Sequence, residues 1–205
     1  MKVIMLNGSP HTNGNTALAL REMAEVFEAE DIKSEIIPVG NQDVHGCTAC
    51  YACAKLGKCV FDDIVNKIAS KFRRASGLVV ASPVYYAGAN ATLCAVLDRL
   101  FFSTCFDKAM KVGASVAVGR RGGHTSVFDQ LNKYFFISGM PVAAGQYWNC
   151  VYGQKPGEVL QDEEGMQSLR TLAHNMAFLI KAIELGKDVY GVPEREEFIA
   201  TNFVR

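Results

Sequence analysis

Hydrophobic runs alternate with stretches of helical periodicity from one end of the chain to the other, and there is no internal repeat, low-complexity stretch or Pro/Ser-rich linker. Lys2 to Leu6 is a continuous apolar run that reaches a turn at Asn7-Gly8, which predicts a buried strand and not a leader segment. Asn15 to Glu28 places Leu18, Leu20, Met23, Val26 and Phe27 at the spacing of a helix with one buried face. A second strand is expected at Lys33 to Pro38, a helix at Asp63 to Arg73, and a third strand at Gly77 to Ala81. That third strand has no polar alternation, as a strand covered on both faces requires.

The second half continues the alternation. Helices are expected at Ala89 to Cys105 and at Thr125 to Ile137, the latter opened by the capping pattern Ser126-x-x-Asp129. Between and after them, strands are expected at Lys111 to Val118 and Pro141 to Ala144, and a long helix at Glu164 to Leu185 that stops at Gly186. Strands interleaved with helices in this way predict an α/β protein with a doubly wound five-stranded parallel sheet. Ligands of such sheets bind beyond the carboxyl ends of the strands, where the strand order reverses. The loops after the first, third and fourth strands are therefore the places to look for chemistry.

Length and charge narrow the possibilities. The chain has 205 residues, which suits one domain. Its lysines plus arginines equal its aspartates plus glutamates, 21 of each and scattered, so no footprint for nucleic acid or anionic lipid is present. Apolar residues make up 49%, but no uninterrupted run is long enough for a membrane span. The expected partner is a small molecule, and the expected location is cytoplasmic. In that compartment the seven cysteines would serve metal binding, redox work or burial and not a disulfide framework.

After the first strand comes Asn7-Gly8-Ser9-Pro10-His11-Thr12-Asn13-Gly14-Asn15-Thr16, and then a helix. The free amides and positive dipole end of that helix can hold a phosphate without lysine, and Ser9, Thr12, Asn15 and Thr16 can donate further bonds. The loop lacks the Gly-Lys-Ser/Thr of a P-loop and the Gly-x-Gly-x-x-Gly of a dinucleotide fold, which disfavours ATP and a Rossmann-bound NAD. An ordinary polar strand-to-helix turn accounts for the same residues.

Two segments together carry a resemblance. Asn7-Gly8-Ser9-Pro10 through Gly14-Asn15-Thr16, with Ser82-Pro83-Val84-Tyr85-Tyr86-Ala87-Gly88-Ala89-Asn90 followed by Leu97-Asp98-Arg99, resembles the NADPH-dependent FMN reductases and related flavodoxin-fold proteins. The resemblance spans Met1 to about Leu185 and implies a flavodoxin-like sheet of strand order 2-1-3-4-5 holding one FMN. It places the phosphate on Ser9, His11, Thr12, Asn13, Asn15 and Thr16. The isoalloxazine falls along Pro83, Val84, Tyr85 and Tyr86, with Asn90 near its polar edge. Gly119-Arg120-Arg121-Gly122-Gly123-His124 then forms a third loop at the pyrimidine side, where Arg120 and Gly122 would meet the flavin, or Arg120 a phosphate of the nicotinamide donor. Half-buried packing of the tyrosines, and solvated arginines, remain open. His124 is read as opening a helix and His174 as a structural side chain.

Cys47-x-x-Cys50-x-x-Cys53-x5-Cys59 falls between the second strand and the helix expected from Asp63. Two-residue gaps can aim successive sulfurs at a common centre, which suits an iron-sulfur cluster or a four-cysteine zinc site. The spacing resembles the compact motif of the iron-sulfur flavoproteins, which implies a [4Fe-4S] cluster on Cys47, Cys50, Cys53 and Cys59. It departs from the bacterial ferredoxin run, which has three residues before its last cysteine and proline after it, where this chain has five and then Val60. A metal-free thiol-rich loop and a dithiol pair stay open beside it. Cys94, Cys105 and Cys150 have apolar neighbours and are expected in the core.

The resemblance thus implies an FMN oxidoreductase in which NAD(P)H reduces the flavin and the flavin reduces a quinone, free flavin or other small acceptor. No side-chain acid or base need be catalytic, because the flavin carries the chemistry. The rivals are an iron-sulfur flavoprotein fed single electrons by a ferredoxin-like donor, and a flavodoxin-type carrier. Flavodoxins resemble one another in being acidic, whereas this chain is neutral, with a pI near 6.9. Residues 1–188 are expected to form the FMN domain. Residues 189–205 form a tail whose Phe198, Phe203 and Val204 would pack at the subunit boundary of a homodimer or homotetramer.

Overall fold

The computed structural model describes residues 1–197 and 199–201; Phe198, Phe203 and Val204 lie outside them. Strands β1 (Lys2–Asn7), β2 (Lys33–Pro38), β3 (Gly77–Pro83), β4 (Val112–Gly119) and β5 (Cys150–Tyr152) form one parallel sheet in the order β2-β1-β3-β4-β5. The order and the all-parallel sense are those expected.

The unbroken apolar character of β1 has a direct cause. Val3 and Met5 point into a core shared with helices α1 (Asn15–Ala29) and α6 (Glu163–Tyr190), while Ile4 and Leu6 point into a second core on the opposite face. That second core is closed by α3 (Ile64–Arg73), α4 (Ala91–Ser103) and α5 (His124–Ile137). A single turn of helix, α2 (Cys53–Leu56), lies within the cysteine loop.

Three expectations are corrected. The last strand is Cys150–Tyr152 and not Pro141 to Ala144. The earlier segment touches the sheet only at Val142, opposite Gly113, after which the chain bulges through Gly145–Trp148 and rejoins β4 at Ala117. Helix α5 opens at His124 behind Gly123, so Ser126 and Asp129 sit inside the helix and cap nothing. Helix α6 runs through Gly186 to Tyr190 and ends at Gly191 (φ 76°), so it also crosses the boundary expected at residue 188. Gly186 meets no neighbour and costs the helix roughly 1 kcal/mol relative to alanine without ending it.

Candidate functional site

The chain leaves β1 toward β2 on one side and β3 on the other, and at that point of reversal the loops after β1, β3, β4 and β5 enclose an open cleft of about 670 Å³. That volume suits a mononucleotide-sized ligand. A wider depression of about 820 Å³ lies between α1 and β2, lined by Lys2, Arg21, Glu25, Glu28, Lys33 and Glu35. It is a mixed-charge surface away from the strand carboxyl ends. The cleft at the switch point is the candidate site.

The wall after β1 brings free helix amides and hydroxyls to the cleft. Ser9 is buried behind the first turn, where its Oγ accepts from the His11 amide (3.1 Å) and its own amide donates to Asn7 Oδ1 (2.9 Å). No side chain caps α1; Gly14 is its N-cap and the first helical bond is Leu18 N–H to Gly14 O, which leaves the amides of the opening turn free of helical partners. Thr16 is buried at that turn and lines the cleft with Ser9, His11, Thr12 and Asn13. Gly40 crosses directly behind this loop: a Cβ there would fall inside the Gly8 carbonyl.

Asn15 lines the cleft as its position suggests and has a second task. Its Nδ2 donates to Lys155 O (3.0 Å) and its Oδ1 accepts from Gly157 N–H (2.9 Å), so the side chain ties α1 to the loop after β5. That loop supplies Gly153, Gln154 and Pro156 as a wall absent from the expected set, because the misplaced last strand hid it.

The wall after β3 is a tight turn under strain. Tyr85 and Gly88 exchange backbone bonds of 2.9 Å in each direction, and Tyr86 (φ 50°) and Ala87 (φ 58°) both take left-handed conformations, the type I′ pattern that glycine and asparagine usually serve. Pro83, Val84 and Tyr85 line the cleft, whereas the turn holds Tyr86 fully in solvent. Gly123 packs beneath Ala87 and Val84, where a side chain would collide. Asn90 does not line the cleft. It is buried, its Oδ1 accepts from Leu93 N–H (3.0 Å) as the N-cap of α4, and its own amide donates to Ser82 Oγ (2.8 Å).

After β4, Arg120 stands exposed at the cleft rim with no ion-pair partner among the described residues, and Gly122 is exposed outside the lining. His124 is buried at the start of α5. Its Nε2 lies 3.3 Å from Val151 O, its ring packs on Tyr152 (centroids 4.4 Å apart), and its Nδ1 has no partner among the described residues. His174 is exposed on α6 and pairs with Glu30 (2.9 Å).

The cysteine loop runs along α4. Cys47, Cys50, Cys53 and Cys59 all line one narrow cavity with Phe61, Arg99 and Ser103. They do not converge on a point: among the described residues no three Cys, His, Asp or Glu side chains could share one metal ion, as tetrahedral zinc would require. A four-iron cluster makes another demand, since each cysteine takes its own iron and the sulfurs surround a body between them. The donor set of four cysteines is the one such a cluster takes; the space they enclose is only about 20 Å³, and Cys47 and Cys50 are exposed to solvent. Ala49 and Tyr51 are held at positive φ within it.

What anchors this loop is Arg99, which sequence reasoning quoted but gave no task. It is 1% exposed, and its Nη atoms bond both carboxylate oxygens of Asp63 (2.6 and 3.0 Å). Burial disfavours the charged guanidinium, but hydrogen bonds to Asp63 and Cys59 outweigh it and raise its pKa. Of the other cysteines, Cys150 is buried as expected, Cys94 is half-buried, and Cys105 is exposed, contrary to expectation.

The model of a family described as NADPH-dependent FMN reductase matches residues 1–154. An iron-sulfur flavoprotein of Methanocaldococcus jannaschii is 34% identical over 90% of this chain and 100% of its own length. One of Methanosarcina thermophila is 31% identical over 92% and 100%. Among solved structures, RosB with a bound 8-demethyl-8-formylriboflavin-5'-phosphate superposes with a TM-score of 0.71 at 17% identity, covering 100% of this chain and 94% of that one; it shares the fold. The chain belongs to the NADPH-dependent FMN reductase family, as an FMN-dependent oxidoreductase on a flavodoxin-like sheet.

Proposed function

We propose that the protein is an iron-sulfur flavoprotein, which pairs FMN in the switch-point cleft with a [4Fe-4S] cluster on Cys47, Cys50, Cys53 and Cys59 and passes single electrons from a ferredoxin-like donor to a small-molecule acceptor. The observation that carries it is the lining of one cavity by all four cysteines, with an arginine donating to one of the sulfurs. When bound, FMN exchanges one or two electrons and a cluster exchanges one.

The chain's own work is positioning. The opening amides of α1, with the Ser9, Thr12 and Thr16 hydroxyls, would hold the phosphate. Pro83, Val84 and Tyr85 would lie along the ring, and Arg120 would place positive charge at the rim where reduction builds negative charge. Asn15 keeps the fourth wall closed against α1.

The test is composition. Protein prepared without oxygen should contain one flavin and about four irons and four sulfides per chain. Stoichiometric flavin without iron or sulfide would overturn this reading.

A second reading, hydride transfer from NAD(P)H to FMN and onward to a quinone, flavin or other small acceptor, is favoured by the open cleft and by Arg120 at its rim, which has no ion-pair partner among the described residues. Rapid anaerobic bleaching of the flavin by NADPH or NADH would establish it. Assembly as a homodimer or homotetramer belongs to the proposal too, since Phe136, Ile137, Phe178 and Leu185 are exposed apolar side chains on two helices.

A further inference from the structure

Arg99 and Ser103 stand one turn apart on α4, so both face the cysteine cavity. All five guanidinium N–H donors of Arg99 have acceptors. The four on the Nη atoms go to oxygen, at His45 O (3.1 Å), Phe61 O (3.1 Å) and the two Asp63 oxygens. The fifth, on Nε, goes to Cys59 Sγ at 3.2 Å. The guanidinium also lies over the Phe61 ring, 5.0 Å from its centroid. One buried side chain thus grips the loop before its first cysteine and after its last.

Ser103 supplies an independent observation. Its residue is 3% exposed, and its Oγ has no hydrogen-bond partner among the described residues. A buried hydroxyl without an acceptor is unfavourable, and the cavity it lines offers it four cysteine sulfurs beside the hydroxyls of Thr48 and Tyr51. Donors aimed at the sulfurs of a thiolate-ligated centre favour its reduced, more negative state and raise its potential.

We propose that Arg99 and Ser103 are positioning residues that donate hydrogen bonds to the cysteine sulfurs and so set the reduction potential of the centre those cysteines hold. The inference rests on the iron-sulfur reading. The couple concerned is the addition of one electron from a reductant such as dithionite, with no bond made or broken.

The test uses the full chain purified and titrated without oxygen, with the cluster followed by electron paramagnetic resonance. Ser103→Ala should load iron and sulfide as the wild type does but lower the one-electron equilibrium about tenfold, 59 mV for a one-electron couple. Its metal-free form should melt at the same temperature or higher, because an unsatisfied hydroxyl has gone. Arg99→Lys keeps a cation beside Asp63 and lacks the Nε donor, and should lower the potential by at least as much while FMN content is unchanged. Loaded variants with midpoints within twofold of the wild-type equilibrium would overturn the proposal and leave the cluster standing. Should Arg99→Lys not fold, wild-type protein labelled with 15N in its arginine guanidinium groups decides the matter. A nitrogen coupling to the reduced cluster by electron-nuclear double resonance supports Arg99, and its absence overturns it. Wild-type protein with no iron or sulfide removes the iron-sulfur reading, and this inference with it.

Discussion

Ser9 and Thr16 show how differently two hydroxyls of one loop should respond to substitution. Ser9→Asp keeps an acceptor for the His11 amide, so the turn survives, but it sets a buried carboxylate against the phosphate. FMN binding should weaken by about 3 kcal/mol, more than a hundredfold. Thr16→Ala loses one bond to a charged group, about 1.5 kcal/mol or tenfold. Flavin-fluorescence titration measures both, and equal affinities for the two variants and the wild type would move the phosphate elsewhere. The cysteines divide as sharply. Burial pushes the Cys150 thiol up to about 11 from 9.0, so maleimide at pH 8 should label exposed Cys47, Cys50 and Cys105 in metal-free protein and reach Cys150 only on unfolding. The sign for stability follows: the folded thiol holds its proton more tightly, so its contribution is complete below pH 9 and is lost as pH rises toward 11. Most of the cleft lining was legible in the sequence, because two separate loops, one after each of two expected strands, carried matching segments where a polar turn alone would have explained either. Asn90 falls outside that lining, since a side chain that caps a helix has the same composition as one that binds a ligand, and the tie that Asn15 makes to the loop after β5 could not be read from composition either. Arg99 was illegible for another reason: its partners at His45, Cys59 and Asp63 are 36 to 54 positions away.

Among the elements, the inner strands and the edge strand β2 were readable, and the short edge strand β5 was not. Gly77–Pro83 and Val112–Gly119 are apolar on both faces apart from Ser82 and Ser115, because two cores claim their alternate side chains. Cys150–Tyr152 is three residues between polar neighbours, and no periodicity can be seen in so short a piece. The Tyr85–Gly88 turn yields a stability prediction. Ala87→Gly should relieve a left-handed alanine and stabilise the fold by about 1 kcal/mol, a rise in Tm of about 2–4 °C for a chain of this size. An unchanged or lower Tm would show that the turn holds no such strain. Gly40→Ala should act the opposite way. Backbone meets its new methyl group on the side of Gly8 and Ser9 and cannot swing aside, so about 3 kcal/mol should be lost and the phosphate loop displaced with it. Chemical denaturation with FMN absent separates the fold effect from the ligand effect.

At the scale of the whole molecule, the doubly wound plan was evident from the alternation of runs, whereas assembly was not, because a surface used by a neighbour looks like any other exposed apolar side chain. Light scattering at micromolar concentration should give a multiple of 22.4 kDa, and a mass of one chain would exclude the proposed oligomer. The order in which the two redox readings stand also changes at this scale: spacing alone left the cysteine loop open to a metal-free role, and only the packing of that loop on α4 brings its thiols into one lining. The break in the outermost strand has a consequence beyond the fold. An open sheet ends in rows of unpaired amides and carbonyls that invite another chain to add a strand. Here one margin offers a single bridge at Val142, a detour through Gly145–Trp148 and three residues of β5, while the other, β2, begins at Lys33 and ends at Pro38. The first margin is broken and the second carries Lys33 and Glu35 and is stopped by Pro38, so the chain is guarded against growing into strand-linked aggregates.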